Sequence, residues 1–489
     1  MKYSKLVLSL AAVFGGVFIG GSWYSGKLAE EKYQSYIHYA NNELGQLLSQ
    51  FNLDFKVDNV KFERHLFTSD IRYNLVVKDK SIGEGFTLPV ESQLYHGPFP
   101  LNRIKRFDFA PRMFSAESAL VAIEPIKVNF EGGYIANIIS DIDYSGKLAS
   151  VKVAMPKKNF VEHNATTSVM AYFQPSEFNL TPAKNGQWAM NYHIPQVLLK
   201  SENKNAAYPT ATIEINRFSI NTLIDEKALL KYHYTAVANA EMKIDSIAFK
   251  SDNMFSIENF HTKGENRIVD NKILQSSFSG GMALNGARPQ FDPIRFGKIT
   301  FNSESELDNE AYVKLLDYTY TADLAKSEVM QTELEQLVKN LVTKPIKLTM
   351  SPIEFENEKG KNRFDLVLNS SGFSEEQIQN GLQSLPETLQ SFNNSKIAIQ
   401  LNLNSLEELI KQVTLYHSPK PVEAEEQAKQ LREMFEMQLQ TYAQKNLLIY
   451  NQNEVAFSIE LKDGKILLNG NERSLEELQQ LISNLEEQN

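Results

Sequence analysis

The residues best suited to chemistry stand together at His96-Gly97-Pro98-Phe99-Pro100-Leu101. An imidazole titrates near neutrality and is the commonest general base. Glycine permits positive φ and proline fixes φ, so the ring would be carried on a rigid loop. A periplasmic hydrolase centred on His96 needs that ring in a concave site, within reach of an acid and of a serine or threonine hydroxyl. The plain alternative is a stiff connection in which the prolines interrupt a strand ladder. The candidate functional loop is therefore His96, Gly97, Pro98, Phe99 and Pro100, with two readings open. Arg103, Lys105, Arg106 and Arg112 follow it. They would suit anionic lipid headgroups, or simply pair with Asp108 along an amphipathic strand.

Elsewhere the chemistry is scattered. The other histidines, at 38, 65, 163, 193, 233, 261 and 417, make no i, i+2 or i+4 pair, so no local metal site is expected. There is no Walker loop, no G-x-S-x-G elbow and no H-E-x-x-H helix. Paired acids such as Glu30-Glu31, Glu375-Glu376 and Glu486-Glu487 suit helix ends and polar faces better than a glycosidase cleft. A glycan- or peptide-binding cleft would have to centre on Trp188, because there are only two tryptophans. No catalytic, cofactor-binding or metal residue is assigned, no cofactor is expected, and the chain reads as non-enzymatic. A net charge of -10 over 489 residues argues against nucleic acid, whose binders need a basic face. With no cysteine, stability must come from burial and hydrogen bonding.

The elements that would position these residues begin with an apolar run. Lys2 and Lys5 precede 18 uncharged residues from Leu6 to Trp23. That length spans hydrocarbon as a helix, the lysines belong on the cytoplasmic side, and Trp23 and Tyr24 suit the outer interface. The expectation is a single-pass signal anchor in the inner membrane, with the bulk of the chain in the periplasm. Cleavage after small residues such as Gly20 and Ser22 is the competing reading. Residues 1–26 then form the cytoplasmic tip and anchor. Residues 27–50 form a stalk helix, with Leu28, Tyr36, Tyr39, Leu44, Leu47 and Leu48 as a partial stripe.

Residues 51–306 are expected to be a strand-rich region. Leu53, Phe55 and Val57 alternate with polar residues, as do Ile71, Tyr73, Leu75 and Val77. Similar runs lie at Ile126–Phe130, Trp188–Ile194 and Ala211–Ile215. Period two with polar outer faces predicts half-buried antiparallel strands. Gly132-Gly133, Ser145-Gly146, Asn185-Gly186, Gly280-Gly281 and Asn285-Gly286 are predicted turns. Residues 307–489 mix helices, over Leu307–Val342 and from about Glu423 to Asn446, with strands at Ile346–Glu356, Phe364–Leu368, Ile397–Leu403 and Val455–Leu461. Asp463-Gly464 predicts a tight hairpin. Ser405-Leu406-Glu407-Glu408-Leu409 recurs as Ser474-Leu475-Glu476-Glu477-Leu478, which predicts two capping boxes, Ser405 with Glu408 and Ser474 with Glu477. The fold class is α+β: a long, mainly antiparallel strand-rich body with helices in its C-terminal third, preceded by one transmembrane helix.

Three segments carry a resemblance. They are Gly20-Gly21-Ser22-Trp23-Tyr24-Ser25-Gly26-Lys27, the loop His96–Leu101, and Asp463-Gly464-Lys465-Ile466-Leu467-Leu468-Asn469-Gly470. In order and position they resemble the YdgA-like family of gammaproteobacterial envelope proteins, a domain of unknown function. The resemblance implies an inner-membrane anchor, a periplasmic body and no established catalytic residues. A looser, architectural similarity is to AsmA-like envelope proteins, which implies an apolar groove that shields lipid. The expected partners are the lipid bilayer, an envelope protein or lipid, or a second copy. The expected role is envelope maintenance by scaffolding or lipid handling.

Overall fold

The computed structural model describes residues 22–480 except 23, 32, 36, 39–40, 43–44, 46–48, 50–52, 81–82, 84, 125, 204–209, 226–236, 271, 289–292, 322–326, 380–388, 419 and 479. Lys2, Lys5, Trp23 and most of the predicted anchor therefore lie outside the described residues. No helix among the described residues is long and apolar enough to cross a membrane. The chain divides into two compact units, Met1–His163 with Val169–Leu198, and Asn164–Ser168 with Leu199–Asn489.

In the first unit the described residues of 22–49 are helical, here α1. Strands follow as β1 (Leu53–Arg64), β2 (Thr68–Asp79) and β3 (Gly85–His96), then the short helix α2 (Leu101–Lys105). Next come β4 (Phe114–Val121), β5 (Tyr134–Ile142), β6 (Leu148–Met155), β7 (Lys158–His163), β8 (Thr167–Phe173), β9 (Ser176–Pro182) and β10 (Gln187–Asn203), with the first two residues of β8 and the last five of β10 counted in the second unit. β1 to β6 pair in sequence order, all antiparallel. β9 adds to β6, and β10 adds to β9. The predicted alternation is what builds this sheet. Ile126–Phe130 is an exception: Ile126–Asn129 forms a 3-10 turn, which the period-two pattern did not foresee. The segment 101–105 is helical where an amphipathic strand was one expectation.

The second unit is a longer meander. Its strands are β11 (Thr210–Asp225), β12 (Val237–Lys250), β13 (Met254–Val269), β14 (Ile273–Ala287) and β15 (Ile294–Asp308). Helices α3 (Asn309–Thr321) and α4 (Ser327–Val342) precede β16 (Ile346–Asn357) and β17 (Gly360–Ser370). After α5 (Glu375–Gln379) come β18 (Ser395–Asn402), the helices α6 (Leu403–His417) and α7 (Pro421–Gln444), and β19 (Ile449–Asn451) to β22 (Asn471–Arg473), with β20 at Glu454–Lys462 and β21 at Lys465–Leu468. Neighbours pair antiparallel from β11 to β18, and β18 then pairs with β20.

Two predicted turns are strand interior instead. Gly280-Gly281 and Gly286 lie within β14. A Cβ on Gly280 would sit 2.7 Å from the Phe301 ring, and one on Gly286 would sit 2.9 Å from Tyr416. These glycines make room for the His261 carbonyl of the adjoining strand and for neighbouring aromatic rings rather than for a reversal of the chain. By contrast Asp463 (φ 51) and Gly464 (φ 76) form the predicted tight turn between β20 and β21.

The two echoed segments diverge. Ser474 and Glu477 exchange the predicted pair of bonds, 3.0 Å and 3.2 Å, as a capping box. At the first copy the helix starts two residues before the serine, so Asn402 is the cap and accepts from the Ser405 N–H at 3.0 Å. Ser405 is buried and accepts from Asn362 Nδ2 at 2.8 Å, while Glu408 takes its bond from Gln412 one turn on. Loss of a cap costs about 1 kcal/mol, and loss of an i, i+4 pair costs roughly 0.2–0.5 kcal/mol. Asn402→Ala is therefore expected to lower the urea midpoint clearly, with Glu408→Ala close to wild type.

Candidate functional site

The candidate site lies in the first unit, where α1 meets the sheet. Rather than standing clear as a stalk, α1 lies on the strands. Ala29 packs in a core with Met113 and Phe114, joined by Leu28, Phe62, Leu94 and Ile142. The Tyr33 ring stacks on Phe62 with centroids 4.9 Å apart. Glu30 pairs with Arg64 at 3.1 Å. Further along, Asn41 donates to the Val57 carbonyl at 3.1 Å and accepts from the Val57 N–H at 2.6 Å, so one side-chain amide bonds both backbone groups of a β1 residue as a neighbouring strand would. Of the predicted stripe only Leu28 is among the described residues. Ala29, Tyr33 and Ile37, which face the sheet, were not singled out from the sequence.

Between α1 and the sheet is an apolar cavity of about 580 Å³. Ala29, Tyr33 and Ile37 form its roof; Phe55, Val57, Val60 and Phe62 line it from β1. β2 contributes Ile71, Tyr73 and Leu75, the residues whose alternation marked the strand. Leu94, Phe114, Ala116, Ser140 and Ile142 complete it from β3, β4 and β5. On β1 the inward positions change from odd to even between Val57 and Val60. Asn59 lies at φ 50 and the β1–β2 register shifts between Asp58 and Lys61, so a bulge turns Val60 and Phe62 back to the cavity side. Period-two reading could not foresee that step. Burial of its ring raises the Tyr73 phenol pKa.

The loop His96–Pro100 sits beside this cavity as the point where α1 is seated. His96 ends β3 and its side chain is 0% exposed. Its Nε2 lies 2.9 Å from Ser69 Oγ, and its backbone N–H donates to the Phe67 carbonyl at 2.8 Å. Its Nδ1 has no hydrogen-bond partner among the described residues. Burial holds the imidazole pKa down at about 4, with Arg64 and His65 acting in the same sense against a backbone group of Leu66. A Cβ on Gly26 of α1 would come within 2.5 Å of Nδ1. Gly97 has φ 103, and a Cβ there would collide with Ser22 Oγ. Ser22 Oγ in turn donates to the His96 carbonyl at 3.2 Å. The structure thus brings His96 to a serine, with no carboxylate bonded to the ring among the described residues, and closes it from solvent. Tyr24, predicted at a membrane interface, is 64% exposed on α1.

The basic residues after the loop do not act alike. Arg103 is buried and reaches Asp141 through Nη1 and Asp108 through Nη2, the latter at 2.6 Å. Asp141 also accepts from Ser115 Oγ at 2.6 Å and Ser150 Oγ at 2.9 Å, and Asn102 donates to Ser115 at 2.8 Å. Asp108 was the partner named from sequence; Asp141, far along the chain, was not. Arg103 is therefore not available to a headgroup. Its charge ties the loop to β4 and β5.

A family model matches residues 1–476, that of "Bacterial protein of unknown function (DUF945)". The chain belongs to this family. It is similar to "Protein YdgA" of Escherichia coli (strain K12), at 23% identity over 98% of this chain and 96% of that protein. It is also similar to an uncharacterized protein of Haemophilus influenzae, at 25% identity over 68% of this chain and 89% of that one. No solved structure matches it. Two of the three segments that carried the resemblance touch each other, since Ser22 and Gly26 rest on His96 and Gly97.

Removing one partner of a buried ion pair leaves the other charge uncompensated, at a cost of roughly 3–5 kcal/mol. Asp141→Ala is thus expected to lower the urea midpoint of the first unit sharply, read by Trp188 fluorescence. The double variant Arg103→Met with Asp141→Leu is expected to recover much of that loss.

Proposed function

We propose that this chain is a membrane-tethered periplasmic protein that serves the envelope by handling lipid without catalysis, and that its N-terminal unit shelters an acyl chain. The observation that carries the reading is the cavity under α1, about 580 Å³ and walled almost wholly by carbon. Pockets for small organic guests span roughly 300–1,000 Å³. The roof of this one is a helix that directly follows the apolar run Leu6–Trp23, so an anchor there would set the cavity beside the bilayer. The buried state of His96 supports a positioning role for the loop in place of catalysis.

The test uses the full-length chain in membranes that contain a phospholipid with a photoactivatable group in its acyl chain. Adducts are expected at cavity residues such as Tyr33, Phe62 and Tyr73, and are expected to fall severalfold in Ala116→Phe, which fills the cavity. Adducts confined to residues 1–26 would show lipid around the anchor alone and would leave scaffolding as the role.

A further inference from the structure

We propose that α1 is a movable lid on the cavity, latched where Ser22 and Gly26 seat on His96 and Gly97, and that protonation of His96 opens the latch. The proposal rests on the reading above only for what the cavity holds; the motion itself does not depend on it.

The geometry of the seat comes first. At this point α1 approaches so closely that no side chain fits at Gly26, and His96 Nδ1 is left facing a Cα. A neutral ring tolerates this, because a bare Nδ1 is only an unused acceptor while Nε2 meets Ser69. An imidazolium does not. Its second N–H would point at Gly26 with nothing to accept it and no room for water, a buried unpaired donor that carries charge.

A backbone group of Leu66 favours the charged ring, but it does not offset the burial. From β1 and the turn after it, Arg64 and His65 both disfavour a positive ring. Their acids are already engaged, Arg64 with Glu30 of α1 and His65 with Asp70 of β2. The remaining charged residues among the described ones of that stretch of α1, Lys27 and Glu31, pair with each other at 3.6 Å. From α2, Arg103 is committed to Asp141 and Asp108. β2 presents the Ser69 hydroxyl to the ring.

Among the described residues of the rest of the lid, Tyr33 and Ile37 face the cavity and so forgo part of the contact that a filled core would give. Among the described residues the lid is held there by the Glu30–Arg64 pair at 3.1 Å, the Tyr33–Phe62 stack, the Asn41–Val57 pair and the Lys80–Ser49 bond at 2.7 Å. Among these described contacts the seat at His96 is the one that a proton on the ring would unmake.

The sign follows from linkage. The docked ring titrates at about 4, whereas a ring freed into water titrates near its ordinary 6.5. Docking is at full strength above about pH 6.5, weakens by up to about tenfold per pH unit as pH falls, and has lost about 160-fold by pH 4, towards a limit of about 300-fold below it.

Hydrogen exchange of the full-length protein tests this, with labelling times scaled for the intrinsic pH dependence. Protection of amides in 24–38 is expected to drop by up to about tenfold per pH unit between pH 6.5 and 4.5, while β2 and β3 keep theirs. His96→Gln, a neutral side chain, is expected to remove that pH dependence, and Gly26→Leu to unseat the helix at pH 7. Protection of 24–38 that is flat with pH, or that falls equally in His96→Gln, would overturn the latch. Because this readout needs no lipid, a failure of the photolabelling leaves it intact, and the reverse also holds. If Gly26→Leu unfolds β3 as well, the His96→Gln comparison still decides.

Discussion

The close approach of α1 to the end of β3 is the constraint on which the first unit depends. Two glycines, Gly26 and Gly97, let a helix backbone and a strand end meet with only an imidazole between them. That contact fixes where the helix starts across the sheet, and so where its apolar side chains fall. With Ala29 close in and Tyr33 and Ile37 further along, the helix bridges the sheet face instead of filling it, and a cavity remains. A bulkier seat would hold α1 further from the strands and leave the Ala29–Phe114 contact unmade.

A second layer of interactions keeps the seat in place. The loop after His96 enters α2, and α2 is tied down by Arg103, whose buried guanidinium reaches Asp141 on β5 and Asp108 just beyond the helix. Such a pair adds little net stability against apolar replacements, yet it is costly to break and it is directional. Directionality is what a loop with two prolines and a positive-φ glycine requires, because few other contacts specify its path. Arg112 adds a backbone bond to the Pro98 carbonyl at 3.2 Å, closing the loop on itself.

Much of the architecture was legible from hydrophobic periodicity. The alternation at Ile71, Tyr73 and Leu75 identified both a strand and its inward face, and Asp463-Gly464 identified a hairpin, because those signals are local. Errors arose where a residue answers to a distant neighbour. Gly280 and Gly286 resemble turn glycines in sequence, but Phe301 and Tyr416 explain them. Ser405 matches Ser474 letter for letter, yet Asn362 of a neighbouring strand claims its hydroxyl and Asn402 takes its capping role. The candidate site was half legible. The segment around His96 stood out by composition, whereas its docking against Ser22 and Gly26 spans some seventy positions that no spacing rule connects.

The order of strand pairing bears on how the chain acquires its structure. From β11 to β17 each strand pairs with the next in sequence, with the longer separations lying between β11 and β12 and where α3 and α4 intervene. Loop closure of this kind demands little entropy, and low contact order favours rapid assembly for a sheet of this size. Each new strand finds its template already in place, so the meander can grow from its N-terminal side as the polypeptide emerges. Pairings that skip strands include β18 with β20 and β6 with β9, the latter across two intervening strands, so that β6 must wait for a distant segment. Until β9 arrives, one edge of β6 is unpaired, and that interval is when the nascent chain has most need of protection from its neighbours.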